Sequence, residues 1–270
     1  MAPIDFLFSG IDGFRRHRTG RHAALLAHYG FLSVFPLLLA ITTVLGFLLQ
    51  SRPGLRNRIL DSAMAKVPII GQTMDADPSS LHGNVIVLIL GLAGSAWAGT
   101  RAFVVTQTAM NDIWEIPEHQ RPNFARSRGR ALLAVAVIGT AQIGTAIVTG
   151  FIGVSGVPWL VRILLAIGAL VINIAVLAGG FRVLTARPLT MAQLLPGAIG
   201  AGIGFAVLQV VGAAVVGRAV ANAAPAYGTF ASVIGLITWF SLHATVALVG
   251  VEANAALDRR HQVALDATAG

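Results

Sequence analysis

The chain has 270 residues, 56% of them hydrophobic and only 11% charged, with a mean hydropathy of +0.77. No water-soluble domain needs that composition to build one core, so the bilayer is the expected solvent. The formal charge of +8 comes from 18 arginines and one lysine, Lys66, against 11 acids. The basic cytoplasmic loops of membrane proteins account for such an excess without nucleic acid as a partner.

The N-terminal stretch MAPIDFLFSGIDGFRRHRTGRH has no continuous apolar run ahead of its basic cluster. A cleaved signal peptide is therefore not expected, and the first span serves as the insertion signal. Crossing about 30 Å of hydrocarbon at about 1.5 Å per residue takes about 20 apolar residues. Six runs meet that length, at about 23–50, 84–108, 131–154, 159–183, 193–218 and 228–252. With the N-terminus inside, the inner segments hold Arg15, Arg16, Arg18, Arg21, Arg121, Arg126, Arg128, Arg130, Arg182, Arg187, Arg259 and Arg260. The outer segments hold half as many basic residues: Arg52, Arg56, Arg58, Lys66, Arg162 and Arg218. This bias puts both termini in the cytoplasm. The expectation is an all-α integral membrane protein, a single transmembrane domain over 1–270 built as a bundle of six transmembrane helices.

Between the first two spans, Leu55, Ile59, Leu60, Ala63, Met64 and Val67 recur at helical spacing opposite Arg56, Arg58, Asp61 and Lys66. Residues 51–83 therefore read either as an amphipathic helix at the outer interface or as an ordinary loop helix packed on the bundle. After the second span, NDIWEIPEHQRPNFARSRGR mixes both charge signs with two prolines. It is a polar elbow whose arginines set topology and have the chemistry to meet anionic lipid head groups. No GxxxxGK[ST] loop is present, so transport by this chain alone would run on gradients or passively.

The motifs weigh against catalysis. Gly200 and Gly204 form a GxxxG pair in an apolar span and predict close helix packing rather than dinucleotide binding. The GVSG at 153–156 and His243 in the sixth span have the residue types of an intramembrane Ser/His dyad, but a turn before Pro158 already explains that serine and its glycines. His28 and His243 stand singly on different spans, and with no cysteine and no paired carboxylates in the spans neither a metal site nor any other cofactor is expected.

What remains is a set of polar or helix-breaking residues within apolar helices: His28, Ser33, Pro36, Arg101, Gln107, Asn111, Gln142, Asn173, Gln209, His243, Glu252 and Asn254. Such residues face the bundle interior or a water-filled path. Interhelical hydrogen bonding is the simpler account of the amides, whereas Arg101 and Glu252 stay open between function and structural pairing. Helical rise sets Glu252 at the inner boundary of the last span, where an inner-segment arginine or cavity water would meet its carboxylate. Asn254, two residues on, points about 200° away around the helix.

Three stretches carry a resemblance. AHYGFLSVFPLLLAITTVLG resembles the opening helix of the YihY/BrkB family of bacterial inner-membrane proteins, in which S-x-F-P-L-L follows a tyrosine, and here holds His28, Ser33 and Pro36. AWAGTRAFVVTQTAMNDIW resembles the family's second signature, with Arg101, Gln107, Asn111 and Trp114 at its positions. YGTFASVIGLITWFSLHATVALVGVEANAAL resembles the closing signature through Tyr227, Gly228, Trp239, Gly250, Glu252 and Asn254, with G-V-E where the family has G-A-E. Residues 155–195 match only in general hydrophobicity.

The resemblance implies a six-helix protein of the bacterial cytoplasmic (inner) membrane with both termini inside. It brings an old label, ribonuclease BN, for which this sequence has no catalytic constellation, and a second label, envelope integrity through movement of lipids. The reading taken forward is a non-enzymatic transporter or flippase of a lipid or amphiphile. Its partners would be membrane lipids, anionic head groups above all, and self-association as a homo-oligomer is compatible with it. The substrate path would draw on Arg101, Gln107, Asn111, Glu252, Asn254, His28, Ser33, Pro36, Tyr227 and His243. Two alternatives stand beside it: a small-solute or ion exporter coupled at Glu252, and a non-transporting scaffold.

Overall fold

The computed structural model describes residues 12–49, 85–123, 125–134, 137–138, 158–228 and 230–269. No strand occurs among the described residues. In chain order the helices are α1 (Thr19–Leu49), α2 (Val85–Ile113), α3 (Trp159–Leu184), α4 (Met191–Val207), α5 (Ala213–Tyr227) and α6 (Phe230–Ala269). A 3-10 turn, Glu118–Gln120, follows α2, and a π-helical turn, Leu208–Gly212, joins α4 to α5. Helical backbone also covers 12–16 and 125–134.

The packing is inside-out relative to a soluble bundle. Small residues fill the interior, among them Ala23, Ala109, Ala178, Ala198, Ala201 and Ala255. Large apolar side chains such as Ile86, Leu90, Trp159, Leu164, Ile203 and Phe230 are turned outward. Lipid makes that outer surface favourable, while small residues let the backbones approach. Among the described residues three helices are long and apolar enough to cross a membrane, Ile89–Ile113 within α2, Trp159–Leu184, and Phe230–Thr268 within α6, and α4 is a shorter apolar helix.

α6 is the hub, packing against α1, α4 and α5, while α1 also packs on α2 and α3 on α4. The tightest crossing is α4 on α6. A Cβ on Gly197 would overlap the carbonyl oxygen of Gly250, and a Cβ on Gly250 would lie 2.6 Å from that of Gly197. Further along, a Cβ on Gly204 would come within 2.6 Å of Val246. Of the expected GxxxG pair only Gly204 therefore meets a neighbour. No described residue lies within 4 Å of a Cβ at Gly200, and the working stripe is Gly197, Ala201 and Gly204.

Several apolar runs differ from the helices that contain them. The run 193–218 is helical throughout and carries a π turn at 208–212 where α4 passes into α5. There Gly212 allows the ring of Trp239 to come within 3.0 Å of where its Cβ would be. α2 continues to Ile113 and α6 to Ala269, well past the ends of their apolar runs. The run 131–154 is described only at 131–134 and 137–138, and the segment 51–83 lies outside the described residues.

Candidate functional site

The sequence GVEAN on α6 works through two faces. Gly250 and Asn254, four apart, share the face turned to α4, and Glu252 and Arg259, seven apart, share the opposite one. On the first face, Asn254 is 1% exposed and ties α6 to the backbone of α4 around Pro196. Pro196 inside α4 removes a backbone donor and crowds the turn before it. There the N–H of Gly197 donates to Asn254 Oδ1 at 2.6 Å and Asn254 Nδ2 donates to the Leu194 carbonyl at 2.9 Å.

On the other face Glu252 is 2% exposed. Its partners come from the far end of the sequence. His17 Nδ1 donates to Oε1 and Oε2 at 3.0 and 3.1 Å, and the Thr19 hydroxyl donates to Oε1 at 2.5 Å. Gly13 makes the approach possible, since a Cβ there would stand 2.8 Å from Glu252 Oε2. The other ring nitrogen of His17, Nε2, faces Glu115 Oε1 at 3.2 Å. With a carboxylate oxygen on both sides, the ring donates to both only as the imidazolium. Glu115 also meets Arg259 at 3.7 Å and Arg16 at 3.8 Å. A chain of ionisable groups thus runs from a buried carboxylate through a buried imidazole to a carboxylate whose side chain is 51% exposed.

Two backbone devices hold this chain. α2 ends in a Schellman motif, in which Glu115 N–H donates to Asp112 O at 3.1 Å and Ile116 N–H to Asn111 O at 2.9 Å. Glu115 takes the left-handed position at φ 53°, where glycine is usual. The helical turn 12–16 closes likewise, with Arg18 at φ 53° before α1 starts. These are the two non-glycine residues with positive φ among the described residues, and they flank His17 in space and in sequence. Strain of this kind persists where surrounding contacts over-determine it, and it collects at functional sites.

The charges around Glu115 oppose its environment. Partial burial raises its carboxyl, but the hydrogen bond from His17 and the charges of Arg259, Arg16 and His17 outweigh it and hold Glu115 below the ordinary carboxylate value. The arginines expected beside Glu252 serve Glu115 instead, and Glu252 is met by a histidine and a threonine.

A second pairing lies alongside. His22 Nε2 meets Asp112 Oδ2 at 3.1 Å, and Arg121 Nη2 meets Asp112 Oδ1 at 2.8 Å while its Nε donates to the Ile116 carbonyl. Asn111 Oδ1 accepts from the Ala186 N–H at 2.9 Å, tying the end of α2 to the α3–α4 connection. Gln107 donates to the Ser127 carbonyl at 2.9 Å and accepts from its hydroxyl at 2.6 Å. Arg187 and Gln193 both reach Asp258, at 3.5 and 2.7 Å. Four segments therefore meet at one end of the bundle: 12–22, 107–127, 185–193 and 252–259.

The remaining candidates lie elsewhere. Arg101 is exposed and stacks on Trp97 at 5.3 Å. His28 is exposed, edge-on to Tyr29, and Ser33 donates to the Gly30 carbonyl at 2.6 Å. His243 donates Nδ1–H to the Trp239 carbonyl at 2.9 Å and touches the rings of Phe205 and Trp239. Ser155, its partner in the dyad considered above, lies outside the described residues. Tyr227 is exposed at the end of α5, and Pro36 lies within α1.

Over residues 11–269 the chain matches the family described as Virulence factor BrkB. The chain belongs to the BrkB family. Among curated proteins it is similar to an uncharacterized protein of Dickeya dadantii (strain 3937), 28% identical over 92% of this chain and 81% of that one. It is also similar to the ribonuclease-like protein YfkH of Bacillus subtilis (strain 168), 21% identical over 96% of this chain and 98% of that one. No solved structure matches it.

In this BrkB member no group of three metal-ligating side chains gathers among the described residues. The residues that sequence reasoning passed over are His17, Thr19 and Glu115. The available signal was RRHRTG just ahead of an apolar run, a histidine placed to enter the boundary layer where Glu252 also falls.

Proposed function

We propose that this BrkB-family protein is a six-span transporter or flippase of an amphiphile with an anionic head group, supporting the integrity of the bacterial envelope. It sits in the cytoplasmic membrane with both termini inside and has no ATPase of its own. The observation that carries the reading is the layer at one end of the bundle, where Arg16 and Arg259 meet Glu115 and Glu115 is hydrogen-bonded through His17 to the buried carboxylate of Glu252. The segments meeting there are those to which the arginine bias assigns the cytoplasmic side. A basic, wet layer at the mouth of a lipid-facing bundle attracts head-group phosphate and lowers the cost of moving it off the bilayer surface. RNA cleavage, suggested by the name of the Bacillus relative, is not part of this proposal.

The test is translocation of head-group-labelled phosphatidylglycerol and phosphatidylcholine in proteoliposomes, with and without a proton gradient. Movement of the anionic lipid above that in empty liposomes supports the proposal, and no movement under any condition overturns it. The continuous Glu252–His17–Glu115 chain favours a second reading, solute or ion export coupled to protons at Glu252. Proton-coupled flux that survives intact in Glu252→Gln removes it. The amides Gln107, Asn111 and Asn254 are all satisfied within the protein. They therefore serve in assembly, and in a pure scaffold they would be the whole story.

A further inference from the structure

We propose that the cleft between the head of α1 and the end of α2, which shares Arg16 and His17 with the Glu252–His17–Glu115 chain, binds the phosphate of an anionic lipid head group through Arg18 and Arg21. The cleft has a volume of about 450 Å³ and is lined by Arg16, Arg18, Arg21 and Arg121 with His22 and Asp112. Four guanidinium groups thus face a single carboxylate, and that carboxylate already accepts from His22 and Arg121. Arg16 leans toward Glu115. Arg18 and Arg21 are exposed and have no ion-pair partner among the described residues. The cleft therefore holds two cations with no acidic partner among the described residues, which suit a phosphate with several acceptor oxygens.

The ring of His22 lines the cleft, its Nε2 on Asp112 and its buried Nδ1 without a hydrogen-bond partner among the described residues. Arg18 takes φ 53° where the turn 12–16 closes, which fixes its backbone beside the cleft that its side chain lines.

The source of the phosphate follows from the wall. Arg21 and His22 stand four and three residues ahead of the exposed Leu25 on α1, and all three line the cleft with Arg18, which sits just before the helix. A site that is cationic toward water and apolar toward the membrane fits a head group whose acyl chains continue along α1, whereas a free phosphate has no use for Leu25. Only this choice of lipid over soluble phosphate rests on the reading of the protein as one that handles amphiphiles.

The experiment is native mass spectrometry of the purified full-length protein in detergent, titrated with phosphatidylglycerol or phosphatidylcholine. The wild type is expected to retain phosphatidylglycerol preferentially. Arg18→Gln/Arg21→Gln is expected to weaken that retention by about tenfold or more, in line with the loss of charge-assisted contacts. The charge-matched control Arg182→Gln/Arg218→Gln, remote from the cleft, is expected to leave it unchanged. Equal retention by wild type and the cleft variant, or equal loss in the control, overturns the site. If the double variant melts early, Arg21→Gln alone carries the same comparison. Inorganic phosphate and glycerol 3-phosphate form the soluble arm. Arginine-dependent binding of these with no preference for phosphatidylglycerol overturns the lipid assignment. Lost retention with translocation intact upholds the site and takes it off the transport path, while intact retention with translocation lost overturns the site and leaves the transporter reading standing.

Discussion

His17 and Glu252 stand 235 residues apart in the chain and meet at 3.0 Å, ring nitrogen to carboxylate oxygen, with His17 6% and Glu252 3% exposed in their side chains. The contact joins the turn before the first helix to the last helix. Removing one partner of a buried pair leaves the other without compensation, at a cost of about 3 kcal/mol. His17→Ala is expected to lower unfolding stability in detergent by that amount, and His17→Ala/Glu252→Gln by clearly less than the sum of the single changes. Additive losses in that cycle would show that the two side chains do not interact.

Glu115 gives the network a pH signature. Its folded-state carboxyl is held below the ordinary carboxylate value once the His17 hydrogen bond and the arginine charges outweigh partial burial. A depressed carboxylate contributes stability that is fully present above the unfolded value and lost as pH falls through the folded one. Glu115→Gln is therefore expected to be less stable than wild type at neutral pH, with the gap closing below about pH 4.5. Half exposure keeps the gap at about 0.2–1 kcal/mol. Melting curves from pH 7 to pH 3 check this, and a gap that widens on acidification contradicts it.

The glycines of α4 separate cleanly. At Gly197 any Cβ collides with the backbone of Gly250, while at Gly200 it meets no described residue. Gly197→Ala is expected to force α4 and α6 apart and cost about 3 kcal/mol or prevent assembly. Gly200→Ala is expected to be neutral or stabilising by up to about 1 kcal/mol through helix propensity. Yield and melting temperature of the two variants, measured side by side, decide it.

Asn254→Leu keeps the volume but strands the Gly197 N–H and the Leu194 carbonyl beside Pro196. Each unmet buried group costs about 1–3 kcal/mol. Asn254→Leu is therefore expected to melt well below wild type, and an unchanged melting temperature contradicts the role given to these two bonds.

Much of this was legible in local chemistry. Apolar runs announce helices because burial in lipid needs them, and the amides at 107, 111 and 254 announce bonds to other segments because lipid offers no alternative partner. The π turn at 208–212 left no mark, since Leu208, Val210 and Val211 are as apolar as their neighbours, and the close approach of Trp239 to Gly212 joins segments far apart in the chain. The GxxxG pattern found the right helix and half of the right pair, because a spacing rule does not contain the rotation of the helix about its axis. For Glu252 the sequence gives a depth but no partner. Pairing across 235 residues depends on which helices are neighbours, and nothing near His17 or near Glu252 encodes that. Arg101 drew notice as a charge in a span, and its exposed position beside Trp97 follows from a helix face that only packing assigns.

α6 runs without interruption from Phe230 to Ala269, which makes it a lever whose fulcrum is the crossing at Gly250. From Glu252 to its tip the rod extends about 26 Å, so a tilt of about 10° at the fulcrum swings the tip by about 4–5 Å. Small adjustments at the His17 contact are thereby magnified into displacements at the solvent end of the same helix, where a label on Thr268 would register them.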